Sequence, residues 1–226
     1  MAFRDLFVGI IRDPARYRAN SKSGNADKEY RAKRPEVMRK GNFRCQFCGW
    51  RSTKNNECHH LSGDHADNSD ENLAIADTLC HGYHHLGQRA SQEKFSPDSL
   101  GASSILATIP EVTASDMNLL LRAIGVAMNK ESEAPIAAEL LKRLTDRAYP
   151  VKKAFGTFAP GDFAAAMTID KMTDDQFRKA QSLLQSLRLI FRTDVLKEEA
   201  RKFKEDYPGL PFESWTAAVR PASSQD

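Results

Sequence analysis

No stretch of this 226-residue chain approaches the roughly twenty consecutive apolar residues that a membrane-spanning helix needs, which excludes transport through a bundle of such helices. The opening run Met-Ala-Phe-Arg-Asp-Leu-Phe-Val-Gly-Ile-Ile-Arg-Asp-Pro sets acids and arginines around an apolar stretch too short for a secretory signal. A cytoplasmic protein in reducing conditions is therefore expected. Cysteine is scarce, four in all, and in that compartment thiols serve as metal ligands more readily than as disulfides. Strong net charge is missing too: 33 Lys and Arg against 30 Asp and Glu leave +3. That small excess is unevenly placed. Residues 1–44 hold twelve basic against five acidic side chains, whereas 45–99 hold four against eight. A basic arm beside an acidic, cysteine-bearing segment suits phosphate binding, which makes nucleic acid a candidate partner. The same composition, seen in Asn-Ser-Lys-Ser-Gly-Asn at 20–25, also suits a solvated loop.

A hydrophobic fraction of 41% is enough to bury a real core, in one mid-sized domain or a small domain with an appended lobe. Residues 6–11, Leu-Phe-Val-Gly-Ile-Ile, read as a strand ended by Asp13-Pro14. Residues 35–40 read as a short helix with Pro35 first and cations last, broken by Gly41. A hairpin is expected over 45–62, with its second strand at 57–61, followed by a polar loop to 72. An apolar stretch then starts at Leu73 and becomes helical near 77–88. Further on, Thr113 with Asp116 and Thr173 with Gln176 mark helix starts, the second with Met172 and Phe177 as a hydrophobic staple. Phe177, Ala180, Leu184, Leu187 and Phe191 recur at helical spacing and predict one buried face. Pro208-Gly209-Leu210-Pro211 closes the ordered part, and 222–226 reads as a frayed tail.

The chemistry concentrates between 45 and 85. Cys45-Gln46-Phe47-Cys48 is a C-x2-C knuckle, and Glu57-Cys58-His59-His60, Asn72, Cys80-His81 and His85 follow within about forty residues. Spacing and ligand types are those of a metal site, where buried apolar cysteines are the plain alternative. Glu57-Cys58-His59-His60-Leu61-Ser62-Gly63-Asp64, then Asn68-Ser69-Asp70-Glu71-Asn72-Leu73, resembles the HNH endonuclease family over about residues 39–86. That resemblance implies a ββα-metal module. It assigns His60 as the general base that activates water and Asn72 as the residue orienting that water or the loop. His59, His81 and His85 would hold a divalent cation, Mg²⁺ or Mn²⁺, at the scissile phosphate. His65 and His84 read as surface residues.

In zinc-stapled members of that family the second knuckle is another C-x2-C with a catalytic His next to it. Cys80-His81 supplies its end, which puts Asp77 at its first position. Zinc accepts a carboxylate, if less tightly than a thiolate. Asp77 and Cys80, three apart, would share a helical face. The implied structural zinc site is Cys45, Cys48, Asp77 and Cys80, with Cys58 as the alternative fourth ligand. Strand alternation weighs against Cys58, because it puts Cys58 and His60 on one face and His59 on the other.

A second resemblance runs further. Arg44-Cys45-Gln46-Phe47-Cys48-Gly49, the stretch Leu100-Gly101-Ala102-Ser103-Ser104 through Ile109-Pro110-Glu111 into Asn118-Leu119-Leu120, Val151-Lys152-Lys153-Ala154-Phe155-Gly156, and a helix through Leu187-Arg188-Leu189-Ile190 are similar to the IcmJ/DotN family of type IVB secretion and conjugation systems. Together they span most of 36–204. This implies an adaptor of the coupling complex, recruited to the inner-membrane face by the C-terminal tail of the DotL-like coupling ATPase, beside other adaptors, with an HNH-like zinc fold and no required nuclease chemistry. Two departures stand out: Asp77 replaces an expected cysteine, and the His59, His60, Asn72, His81 set is unusually complete.

The expected architecture is α+β. Residues 1–99 form an N-terminal segment and HNH-like zinc module, 100–212 a mainly α-helical lobe, and 213–226 a tail. The expected function is a zinc-binding adaptor of a type IVB coupling complex. A metal-dependent HNH endonuclease is the alternative.

Overall fold

The computed structural model describes residues 3–13, 24–86 and 104–206. The glycine-rich turn at 100–103, the Pro-Gly-Leu-Pro terminator and the C-terminal tail lie outside these residues. Helix α1 spans Gly24–Lys40 and carries Pro35 inside it, not at its start. An interior proline costs about 3 kcal/mol, but both sides of this one are anchored. The Tyr30 hydroxyl donates to the Cys58 carbonyl at 2.7 Å, and Val37 and Met38 are buried beneath the helix.

Strand β1, Glu57–His60, pairs antiparallel with β2, Leu73–Ala76, in the register Cys58 to Ile75 and His60 to Leu73. The hairpin is thus 57–76, not 45–62. The knuckle closes on itself instead: the Cys45 N–H donates to the Trp50 carbonyl at 2.7 Å and the Gly49 N–H to the Cys45 carbonyl at 3.0 Å. Gly49, at φ +79°, takes the left-handed turn that a side chain would resist. Leu73–Ala76 is buried at every position, a signature of a strand covered on both faces. Helix α2, Thr78–His84, follows at once, with Asp77 as its N-cap and not inside its first turn.

Residues 6–11 are extended but join no sheet, making one parallel bridge from Ile10 to Leu86. The N–H groups of Gly9 and Ile11 donate to the carbonyls of Tyr83 and Leu86 at 2.7 and 2.8 Å. A helix end leaves carbonyls without intrahelical partners, and this segment satisfies that of Tyr83 in α2 and that of Leu86 just beyond it. Leu6, Val8 and Ile10 turn inward while Phe7 faces out, the two-residue alternation of an extended chain.

The remainder comprises β3 (Ser104–Thr108), α3 (Ala114–Ala127), α4 (Ala134–Asp146), α5 (Tyr149–Phe155), α6 (Pro160–Ala166), α7 (Asp174–Leu183), a 3-10 turn (Leu184–Ser186), β4 (Leu187–Phe191) and α8 (Thr193–Asp206). Thr113 caps α3, and Thr173 with Gln176 forms a full capping box on α7. The helical stripe expected through Phe191 breaks at Leu184. Leu187–Phe191 is a strand, antiparallel to β3 with Leu189 opposite Leu106. Five apolar-rich residues suit either element, and here the open edge of β3 decides. Gly125 lets α3 and α8 meet closely, since a Cβ there would lie 2.3 Å from the Leu196 carbonyl oxygen.

One hydrophobic core unites these parts. It contains Cys45, Trp50, Tyr83 and Leu86 from the first half and Met117, Leu121, Leu189, Phe191 and Leu196 from the second. The Tyr83 hydroxyl accepts from the Leu189 N–H at 2.8 Å, tying α2 to β4. A smaller cluster, Val37, Met38, Cys58, Leu73 and Ile75, sits under α1. The fold is α+β, with two small antiparallel sheets among helices. No described helix is long and apolar enough to cross a membrane.

Candidate metal centres

The first centre forms where the knuckle meets the N-terminus of α2. Cys45, Cys48, Asp77 and Cys80 are all buried, and one donor atom from each lies within 4.8 Å of all the others. Asp77 is oriented by α2 itself: its Oδ1 accepts from the N–H groups of Leu79 and Cys80 at 2.9 and 3.3 Å. That leaves Oδ2 facing the sulfurs, 2.7 Å from Cys48 Sγ. Burial pushes the thiols of Cys48 and Cys80 well above the ordinary range. Cys45 suffers the same penalty, yet hydrogen bonds from the other two thiols hold it well below that range. Burial, with the Cys45 charge beside it, also raises the Asp77 carboxyl. Ionising four such groups together requires a cation among them, and three sulfurs with one carboxylate oxygen is a donor set that zinc accepts. The cluster can hold a metal ion and is compatible with zinc.

Cys58 stands apart. It belongs to the apolar cluster under α1, and burial raises its thiol to about 11. The structure brings Asp77, not Cys58, to the other three cysteines. Three residues that the sequence reading passed over surround this centre. Arg122, on α3, donates to Asp77 Oδ1 at 2.8 Å and to Glu199 Oε2, on α8, at 3.0 Å, and its guanidinium lies 4.3 Å from the centre of the Trp50 ring. Asn118 Nδ2 lies 3.3 Å from Cys80 Sγ. A charged residue on a mostly apolar helix face, four positions after Asn118, was the available signal for Arg122, but its partners are 45 and 77 positions away.

The second centre lies across β1. His59 faces α2, and its ring nitrogens fall within 4.8 Å of those of His81 and His85. The Nε2 atoms of His81 and His85 are 2.7 Å apart, while His81 Nδ1 is 3.0 Å from Glu57 Oε2. A carboxylate on Nδ1 holds the proton there and turns the Nε2 lone pair toward its neighbours, the state a metal ligand needs. Burial, then the neighbouring imidazoles, pushes His59 and His85 far below the usual histidine range, so both are neutral donors. His84 is not a surface residue: it stacks on His59 at 4.5 Å, lies tilted against Phe47 at 4.7 Å, and burial lowers it to about 4.

His60 points to the opposite face of β1, as alternation requires. It stacks on His65 at 4.7 Å and lies 5.1 Å from Tyr30, with Nε2 3.0 Å from Asn68 Oδ1. The Asn72 amide is spent on the loop. Its Oδ1 accepts from the Ser62 N–H at 2.8 Å, and its Nδ2 donates to the carbonyls of Asp67 and Asp64 at 2.7 and 3.4 Å. Asn72 therefore shapes residues 62–67. A cavity of about 450 Å³ opens beside the histidines, lined by residues 9–13, His59–Asp64, His84, His85 and Phe177. No protein-family model matches the chain, and no curated protein matches it significantly.

Proposed function

We propose that this chain is a zinc-stapled, HNH-like adaptor of the IcmJ/DotN type, serving a type IVB coupling complex by binding the C-terminal tail of its ATPase. The observation that carries this reading is the way the cysteine centre is built into the rest of the molecule. Arg122 and Glu199 from α3 and α8 close it, and Tyr83 joins α2 to β4. A self-contained nuclease module needs none of these contacts, whereas a scaffold gains a single rigid body from them. The resemblance spans the same two halves, about 36–204. On this reading Cys45, Cys48, Asp77 and Cys80 hold a structural zinc, and the protein sits at the cytoplasmic face of the inner membrane through its ATPase partner.

A second reading, a metal-dependent HNH endonuclease, is favoured by one specific observation: His59, His81 and His85 converge beside a cavity that His60 also lines. A divalent cation there would neutralise charge on a phosphodiester. His60 would take the proton from the attacking water, provided its bond to Asn68 yields, and Asn72 would keep the loop in place. The excess of Lys and Arg in α1, six against three Asp and Glu, suits a nucleic-acid backbone.

One preparation separates the readings. Protein purified from cells that contain the coupling ATPase is scored for co-purification of that ATPase and for Mg²⁺- or Mn²⁺-dependent plasmid nicking. The adaptor reading expects co-purification, unchanged in His60→Ala, with no nicking. Nicking by the wild type that drops about 10²- to 10⁴-fold in His60→Ala, the usual cost of losing a general base, establishes the enzyme instead.

A further inference from the structure

An aspartate is an awkward fourth ligand for a buried zinc. It binds through one oxygen and leaves the other without water, and a buried acceptor without a partner is costly. It also brings charge: three thiolates and a carboxylate outweigh a divalent ion. The environment of Asp77 answers both difficulties through one side chain. Arg122 is buried, its Nη2 donates to Oδ1 of Asp77, and its Nη1 donates to Glu199, whose other oxygen takes Lys202 at 2.9 Å. With the α2 N–H groups also on Oδ1, only Oδ2 remains for a metal, and it already faces Cys48.

We infer that Arg122 is the positioning residue that makes Asp77 a one-oxygen metal ligand, so that Asp77 and Arg122 together stand in for a fourth cysteine. The inference rests on the reading that the cysteine cluster holds zinc. Two features set it apart from ordinary packing. The guanidinium fork reaches two buried carboxylates through separate nitrogens held in one plane, a fixed geometry that a compact ammonium does not have. Its flat face lies over Trp50, the residue whose carbonyl closes the Cys45 knuckle, so one side chain sets both halves of the ligand set. Zinc affinity is thereby coupled to the docking of α3 and α8 on the module.

The test is a cycle of four full-length proteins: wild type, Arg122→Met, Asp77→Cys and the double variant. Each is measured for zinc per chain and for zinc affinity by chelator competition, and after cobalt substitution for thiolate-to-metal absorption. Arg122→Met is expected to weaken zinc binding about 10- to 100-fold, as loss of an outer-shell partner does. In the Asp77→Cys background the same change is expected to cost less than about 3-fold, because a thiolate needs no second-oxygen partner. Thiolate-to-cobalt absorption should rise in both Asp77→Cys proteins. The Glu199 and packing effects of removing Arg122 are common to both backgrounds and cancel. Equal losses in the two backgrounds make Arg122 merely structural and overturn this inference alone. A wild type that takes up no stoichiometric zinc overturns the zinc reading, and the inference with it. Should Arg122→Met not fold, Arg122→Lys, which keeps the charge but loses the planar fork, carries the same comparison.

Discussion

Asp77→Ala is the most informative single change, because Asp77 serves at once as cap, ion-pair partner and candidate ligand. Removing the side chain strips the N-cap of α2, whose bonds to Leu79 and Cys80 are worth about 1 kcal/mol. It also deprives the buried Arg122 of one of two carboxylates. Breaking such a pair costs about 3–5 kcal/mol, and the low end applies because Glu199 remains. The sum, about 4 kcal/mol before any metal is counted, is a large share of the 5–15 kcal/mol that typically separates folded from unfolded. With a denaturant slope of about 2 kcal/mol per molar, the urea midpoint should fall by about 2 M. Zinc per chain, measured by elemental analysis, should fall from about one towards zero. Cys58→Ser is the control. It places a hydroxyl among Val37, Met38, Leu73 and Ile75, costs about 1–3 kcal/mol and leaves zinc untouched. Full zinc and an unmoved midpoint in Asp77→Ala, with zinc lost from Cys58→Ser, would refute the ligand assignment outright.

Other outcomes follow from the same geometry. Leu189→Ala, in the shared core, should cost about 2–5 kcal/mol. In a Trp215→Phe background, Trp50 fluorescence and far-ultraviolet circular dichroism should shift together; separate midpoints would mean two independently unfolding halves. Asn72→Ala removes three bonds to loop backbone and should raise hydrogen exchange across 62–67 while leaving zinc in place, whereas unchanged exchange would deny Asn72 its loop role. The Cys58 thiol is raised by burial from 9.0 to about 11, so between those values the unfolded chain has already lost a proton that the folded one keeps. Stability should then fall as pH rises from about 9 to 11. Cys58→Ala should flatten part of that decline, and an identical slope in the variant would contradict the burial.

The local chemistry was legible from spacing alone. A C-x2-C knuckle, two adjacent histidines on a strand and His81 and His85 four apart on a helix each define geometry within a few residues. Short-range geometry of this kind survives whatever the rest of the chain does. The same holds for the caps at Thr113 and Thr173, where side chain and backbone partner are three residues apart. Alternation along β1 likewise separated His59 from His60 and placed Cys58 with the latter.

Tertiary structure decided the rest, wherever two outcomes were locally equal. Leu187–Phe191 suits helix or strand, and the edge of β3, about eighty residues earlier, selected the strand. Residues 6–11 could have joined a sheet, but the carbonyls of Tyr83, in the last turn of α2, and of Leu86, just past it, took them instead. His84 read as exposed because nothing in its neighbours announces that His59 and Phe47 will cover it. Arg122 was the one cation of a largely apolar helix until the fold set Asp77 on one side of it and Glu199 on the other. A sequence determines which groups sit within a turn or two of each other, because backbone geometry is common to all chains. Which distant groups meet depends on closing long loops against a common core, and only the assembled fold shows that.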